Sequence, residues 1–496
     1  MEAPLVGNQF FEPYDVVITD GLVVNATGSR LGTVLVKDGL IAGILDAGAP
    51  LPAHIRRIDA RSQLVIPGGV DPHCHVGQVL GEFSMLDNHA QASIAALWGG
   101  TTTIIDFAIP EPGQSPLEAV HEKRKAAQDC RTDLALHGGV VSWDRTTRDQ
   151  LLALADLGVL TVKMFTTYRD GVMAGFDTIE KVMEVLAGVG GVAIIHAEEN
   201  HVIEQAQAEE LAKGRGGSRH HALTRPEAAE ASAVKRALQL ADETRSAVYF
   251  VHQTTPEVVD LVAAARAAGT RAYSETCPHY LTLNEEVYES DRSELFVCCP
   301  PLRPNSSVLG LRERASWGLV HTLGSDHCCY STQQKEKYSH DVRSMPNGLP
   351  GVENRLTVSF DTLVVKGGMS VENFVAMFST NPAILNGLRS KGWIGPGADA
   401  DIVVLDPRKT GVISATSHHM KSDYSPYEGG EFTGWPSTVI SGGRVVVDDD
   451  GFHDPGPVGR HLSSKAQLDA VPLLAATVTG GSQTTYAEIE SEELLA

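Results

Sequence analysis

The chain has 496 residues, 42% of them hydrophobic and 21% charged, with a formal net charge of −22. That length holds one large domain with a smaller one beside it, and so acidic a chain argues against nucleic acid and against an anionic membrane surface as partners. No apolar run approaches the ~20 residues that cross a bilayer, and Met1-Glu2-Ala3-Pro4 begins no secretory signal; seven cysteines, an odd number with two adjacent pairs (Cys298-Cys299 and Cys328-Cys329), make no disulfide framework, so a reducing cytoplasm is expected.

Residues 14–66 read as short strands with tight turns. Val16-Val17-Ile18 and Leu22-Val23-Val24 flank Asp20-Gly21, and Val34-Leu35-Val36 and Leu40-Ile41-Ala42 flank Asp38-Gly39; Asp-Gly between apolar runs predicts a hairpin at each. From about residue 68 short apolar strands alternate with helical stretches. Strands are predicted at 70–75, 102–107, 134–141, 160–165, 192–196, 248–252, 271–275 and 320–326, with helices at 90–98, 117–127, 179–186, 226–241 and 256–268. Pro226 and Pro256 suit a first helical turn. Eight such units predict an α/β fold, a (β/α)₈ barrel. An open doubly wound sheet fits less well, because no Gly-x-Gly-x-x-Gly follows the first strand. Beyond about 385 strands return, at 400–405 and 438–447, with the texture of 14–66. Both chain ends are thus expected to build one small β-sandwich (1–66 and 391–464) around a barrel at 67–390. The tail, 465–496, carries one apolar patch, Val471-Pro472-Leu473-Leu474, and is either loose or docked on a neighbouring subunit.

The chemistry gathers at strand ends. His73 and His75, after the apolar run Leu64-Val65-Ile66, are two apart and face one side of a strand, where two imidazoles can grip one divalent cation. Lys163 stands in the fourth strand, His196 ends the fifth, His252 the sixth and Asp326 the eighth. A barrel collects such ends on one rim. Lys163 is the odd member, since an ammonium has three donors and no acceptor. Buried among cations its pKa would fall, and the neutral amine could add carbon dioxide to give a carbamate that bridges two metals. Alternatively its stem packs in the barrel and its head pairs with Asp326; spacing leaves both open.

Several stretches together resemble the dihydropyrimidinase/hydantoinase family of cyclic amidohydrolases: Pro67-Gly68-Gly69-Val70-Asp71-Pro72-His73-Cys74-His75, Gly99-Gly100-Thr101-Thr102, Val162-Lys163-Met164-Phe165 with Tyr168, His196-Ala197-Glu198, Glu275-Thr276-Cys277-Pro278-His279-Tyr280, Gly324-Ser325-Asp326-His327-Cys328, Pro346-Asn347-Gly348 and Asn381-Pro382-Ala383. The resemblance covers about residues 14–460. It implies two divalent metals, usually zinc. His73, His75 and Asp326 would hold one, His196 and His252 the other, and Lys163, as N6-carboxylysine, would bridge them. A hydroxide between the metals would be the nucleophile, Asp326 the proton carrier and Tyr168 the oxyanion donor. Main-chain groups of Cys299 and Asn347 would hold the ring amide; Cys299 stands where the family usually has Ser. A homotetramer is implied too.

The implied reaction opens dihydrouracil, dihydrothymine or a 5-substituted hydantoin to the N-carbamoyl amino acid. Other cyclic amide hydrolases (an allantoinase or an imidase), a non-catalytic scaffold relative of the collapsin-response-mediator type and a metal-dependent deaminase are the alternatives. All six ligand positions are retained, against the scaffold; Lys163 argues against the deaminase. The loop Val76-Gly77-Gln78-Val79-Leu80-Gly81-Glu82-Phe83, the segment 166–175 and the extra acid in His196-Ala197-Glu198-Glu199-Asn200 depart from the family and bear on the choice of substrate.

Overall fold

The computed structural model of the chain describes residues 13–111, 113–169, 171–464 and 483–490. Eight parallel strands follow one another around a ring: Gly69–Cys74, Thr101–Ala108, Asp133–Gly139, Thr161–Phe165, Val192–His196, Ala247–Phe250, Ala272–Thr276 and Thr322–Leu323. Each pairs with the next, and the ring closes where Cys74 bridges His327 and the His75 N–H donates to the His327 carbonyl at 3.0 Å. Thr101–Ala108 is buried at every position, as a strand covered on both faces must be.

Helices cover the outside, and their starts follow local chemistry. Ser115 caps Pro116–Ala126 in a capping box with Glu118, and Thr255 caps Pro256–Ala267, each with Pro in the first turn. Pro226 is instead the residue just before Glu227–Thr244. The helices Thr147–Asp156, Asn200–Ala212 and Asn305–Ser316 were not apparent in the sequence; Asn200–Ala212 buries only Asn200, Ile203 and Glu210, too few apolar positions for a periodic signal.

A second, mixed sheet of nine strands draws on both ends of the chain. Leu64–Pro67 joins the halves, running antiparallel to Ile402–Val412 with Val65 opposite Val404 and Ile66 opposite Val403. The architecture is therefore a (β/α)₈ barrel with a β-sandwich domain. One expected hairpin is absent: Tyr14–Asn25 runs straight through Asp20-Gly21, and the real turn follows Asn25, which pairs with Gly28. Asp20 takes a positive φ of 59° and shifts the register between Ile18 and Gly21, so the dipeptide makes a bulge. Gly21 is there for close approach, since a Cβ would lie 2.5 Å from Val65 Cγ2. Asp38-Gly39 does form its hairpin, with φ of 52° and 77°. The late run 438–447 is two strands, Glu431–Ser441 and Arg444–Asp448, turned at Gly442-Gly443. The patch at 471–474 lies outside the described residues. The helix Tyr486–Glu490 rests on its own chain, with Ile489 buried in the core and the Thr484 N–H donating to Glu372 at 3.0 Å.

A buried ionic cluster fastens the sandwich strands to the barrel. Lys391 meets Asp133 at 2.5 Å, where the third barrel strand begins, Asp399 at 3.1 Å, and also Asp401. Arg460 spans Asp133 and Asp399 from the solvent side at 2.5 and 2.6 Å. Removing a buried partner leaves its counter-charges uncompensated. Lys391→Met is expected to lower stability by about 3–5 kcal/mol, read as an earlier thermal transition, whereas loss of half-exposed Arg460 should cost less.

Candidate active site

The residues picked from sequence converge on one cavity of about 480 Å³ at the C-terminal rim of the barrel. His75, Lys163, Tyr168, His196, His252, Cys299, Asp326 and Asn347 line it; His73 sits directly behind, fully buried. The sixth strand stops at Phe250 and the eighth at Leu323, so His252 and Asp326 stand on the turns beyond. There the backbone is forced: His252, Asp326 and Tyr168 adopt positive φ of 41°, 47° and 67°. Such strain, of order 1–3 kcal/mol each, persists only where surrounding contacts over-determine it.

Three donor atoms meet at one point. His73 Nε2 lies 3.0 Å from Asp326 Oδ1 and 3.3 Å from His75 Nε2, and His75 Nε2 lies 3.5 Å from the same oxygen. Two imidazole nitrogens facing each other beside a carboxylate oxygen need a cation between them, either a proton or a metal. The charges tell the same story. Burial works to lower His73, but Asp326 and Glu275 outweigh it and push it up to about 9; burial and the neighbouring His73 pull His75 down to about 3. Burial would raise the Asp326 carboxyl, yet the two histidines hold it well below the usual carboxylate range. Beside them His196 and His252 stand edge to face, ring centres 4.5 Å apart, both lowered chiefly by burial, and His252 Nδ1 has no hydrogen-bond partner among the described residues.

Lys163 lies among these groups. It is 1% exposed, and its Nζ has no hydrogen-bond partner among the described residues. The pairing with Asp326 that sequence left open is not formed; the amine lies over the Phe107 and Phe165 rings, 4.8 and 5.0 Å from their centres. Its charge acts on all four histidines. Burial brings the amine down to about 8, against the pull of Asp326 and Glu275. The donor set of imidazoles and carboxylate, with an orphaned buried amine between them, fits a two-metal centre.

Tyr168 faces the same cavity with its phenol in reach of the Cys299 thiol, and burial raises that phenol well above its ordinary value, so it remains a donor. The segments bearing Cys299 and Asn347 are stitched together by Lys335, a fully buried ammonium donating to the Val297 carbonyl at 2.6 Å and the Pro346 carbonyl at 3.0 Å, and by the Gly348 N–H on Val297 at 3.1 Å. The rest of the wall is largely apolar, with Phe83, Met85, Ile109, Phe165, Val172 and Met345.

Sequence reasoning missed the residues that aim these histidines. Glu275 Oε1 accepts from His73 Nδ1 at 2.6 Å and from the His252 N–H at 3.2 Å, while its other oxygen takes the Tyr249 hydroxyl. Gln78 Oε1 lies 3.2 Å from His75 Nδ1. Each leaves Nε2 of its histidine toward Asp326. Glu275 ends a barrel strand, which was a usable signal; Gln78 offered none. A second cluster, Asp87, His327 and Cys329, is closed by its own hydrogen bonds: His327 Nε2 to Asp87 at 3.1 Å, the Gly351 N–H to His327 Nδ1 at 3.2 Å and the Lys421 N–H to Asp87 at 2.9 Å. It ties loops together.

Known proteins carry the same plan. The pattern of the amidohydrolase family matches residues 64–446. The D-hydantoinase of Ralstonia pickettii is 36% identical over 456 residues, covering 91% of this chain and 99% of its own. The dihydropyrimidinase of Rattus norvegicus is 36% identical over 444 residues, 87% of this chain and 85% of its own. The solved structure of a D-hydantoinase (dihydropyrimidinase) from Thermus sp. superposes with a TM-score of 0.88 at 29% identity, covering 92% of this chain and 100% of that one.

Outer partners of metal-ligating histidines typically contribute 10–100-fold in metal affinity. Glu275→Gln is therefore expected to release divalent metal roughly 10–100-fold more readily, measured as metal content after dialysis against graded chelator.

Proposed function

The chain belongs to the amidohydrolase family, and from that we propose that it hydrolyses one C–N bond of a cyclic amide, a dihydropyrimidine or a 5-substituted hydantoin, to the N-carbamoyl amino acid. The observation that carries this reading is one cavity lined both by a metal-type donor set and by Tyr168, Cys299 and Asn347.

In this reading His73, His75 and Asp326 would hold one divalent ion and His196 and His252 a second, with Lys163, as its N6-carbamate, the ligand shared by both. An amine near pKa 8 has a neutral fraction able to take up carbon dioxide. Zinc is our choice, since it accepts imidazole and carboxylate donors. Bound there, the ions would bring the pKa of water to near neutral and polarise the ring carbonyl. The side chains do the rest. Asp326, with one carboxylate oxygen turned to the same point as His73 and His75, would take the proton of the attacking water on its other oxygen and pass it to the leaving ring nitrogen. The ring C–N bond breaks as the carbonyl carbon gains the water oxygen. Tyr168 donates its phenolic hydrogen to the oxyanion that develops. Main-chain groups at Cys299 and Asn347, held in register by Lys335, read the planar amide edge.

The apolar wall favours a hydrocarbon substituent over the polar one of allantoin, because a buried ureido group would find few partners there. At the rim, Glu82 is paired with Lys337 and Arg343 with Asp341, which leaves little net charge to select a charged substituent. We place the enzyme in a reducing cytoplasm, which its seven buried, free cysteines suit, and as a homotetramer.

Protein supplied with zinc and bicarbonate is expected to open dihydrouracil or a 5-monosubstituted hydantoin, followed as loss of ring-amide absorbance, and Lys163→Ala is expected to abolish it. Turnover that survives Lys163→Ala would remove the bridging role. Failure on both substrates with two metals bound would reject the substrate class. Tyr168→Phe should lower kcat about 10²–10³-fold with a smaller change in KM, the effect of losing one oxyanion donor.

A further inference from the structure

A buried ionic chain links one side of the candidate centre to the other. His196 Nε2 donates to Glu198 Oε2 at 2.7 Å. Arg225 clamps that same carboxylate with both arms of its fork, Nε to Oε1 at 3.0 Å and Nη2 to Oε2 at 2.5 Å. The guanidinium carbon then lies 5.2 Å from the centre of the Tyr168 ring, within cation–π range. His196, Glu198 and Arg225 are all buried. Among the described residues no other cation than Arg225 pairs with Glu198, apart from the His196 ring itself.

The arginine is itself fixed from behind. Its carbonyl accepts from Arg303 Nη1 at 2.6 Å; Arg303 also donates to Thr254 Oγ1 at 2.9 Å and meets Glu230 at 3.4 Å. The Thr254 N–H in turn donates to Glu230 at 2.9 Å, two residues past His252. A bidentate fork locks a carboxylate in plane as well as in place, which a point-like ammonium does not.

We propose that Arg225 is a positioning residue for the reaction: through Glu198 it sets the ring of His196 for its metal, and through its face it sets the Tyr168 ring for the oxyanion. One guanidinium would thereby align the nucleophile side with the charge-stabilising side. This rests on the cyclic-amide reading for its Tyr168 half; the His196 half needs only the metal centre.

The test is Arg225→Lys, which keeps the charge and loses the fork. Zinc per chain is measured after dialysis against graded chelator, with kcat and KM on the cyclic amide that the parent protein turns over. The expected result is selective loss of one of two zinc ions at a chelator concentration roughly 10–100-fold lower than for the parent, with kcat down at least ~10-fold and KM within ~3-fold. A double variant, Glu198→Gln with Arg225→Met, removes both charges together and so avoids a buried unpaired carboxylate; it should fold and show the same selective loss. A folded Arg225→Lys that keeps both ions and the parent kcat would overturn the proposal. So would loss of both ions together with early melting, the mark of a scaffold role alone. If the parent opens no cyclic amide while Arg225→Lys still releases one ion, the functional reading falls and the His196 half stands.

Discussion

A primary amine sealed inside the barrel without a partner is the constraint around which the rest of the site is arranged. An ammonium stripped of water and given no hydrogen-bonded partner costs several kcal/mol. Lys163 is 1% exposed, has no hydrogen-bond partner among the described residues and faces two aromatic rings. Its surroundings cannot absorb more positive charge either, since burial keeps His75, His196 and His252 below their ordinary values. Only His73, beside Glu275 and Asp326, is driven upward, to about 9. The centre thus gathers imidazoles and a carboxylate about one point, beside an amine whose charge burial disfavours.

Such a set of donors does not hold itself in place. The carboxylates next to it do: Glu275 behind His73, and Glu198, clamped by Arg225, behind His196. Asp71 secures the turn after the eighth strand, accepting from the His73 N–H at 3.1 Å and the Ser325 N–H at 3.0 Å, and so ties the first strand to the last. These contacts offset the positive φ at His252 and Asp326. Here buried charge serves geometry, because each carboxylate sits where displacement of a histidine would leave it unsatisfied.

The candidate ligands were readable in sequence because all but Lys163 lie near or just past the end of an apolar run, and a parallel barrel brings such ends together. The helices Pro116–Ala126 and Pro256–Ala267, each opening on a proline, were legible from local signals as well. What escaped depends on contacts distant in the chain. Glu275 and His73 are 202 positions apart, and Arg225 reaches Glu198 from the stretch between two helices. Asp20-Gly21 misled because the hairpin rule describes a dipeptide without its neighbours: the packing of Gly21 against Val65 keeps the strand running where isolated turn chemistry would end it.

The loop from Val76 to Phe83 meets both the cavity wall and one of the histidines. Phe83 and Met85 face the cavity, while Gln78 of the same loop holds His75. The Met85 N–H donates back to the Gln78 carbonyl at 3.0 Å, and Glu82 is anchored to Lys337 and Tyr338. The loop is therefore one braced piece, turned at Gly81 with φ 59°. A substitution made there to admit another substituent would move the residue that orients His75. Changes of substrate on this chain are accordingly more readily made across the cavity, at Ile109, Val172 or Met345, whose side chains line the wall and, among the contacts described, hold none of the ligands.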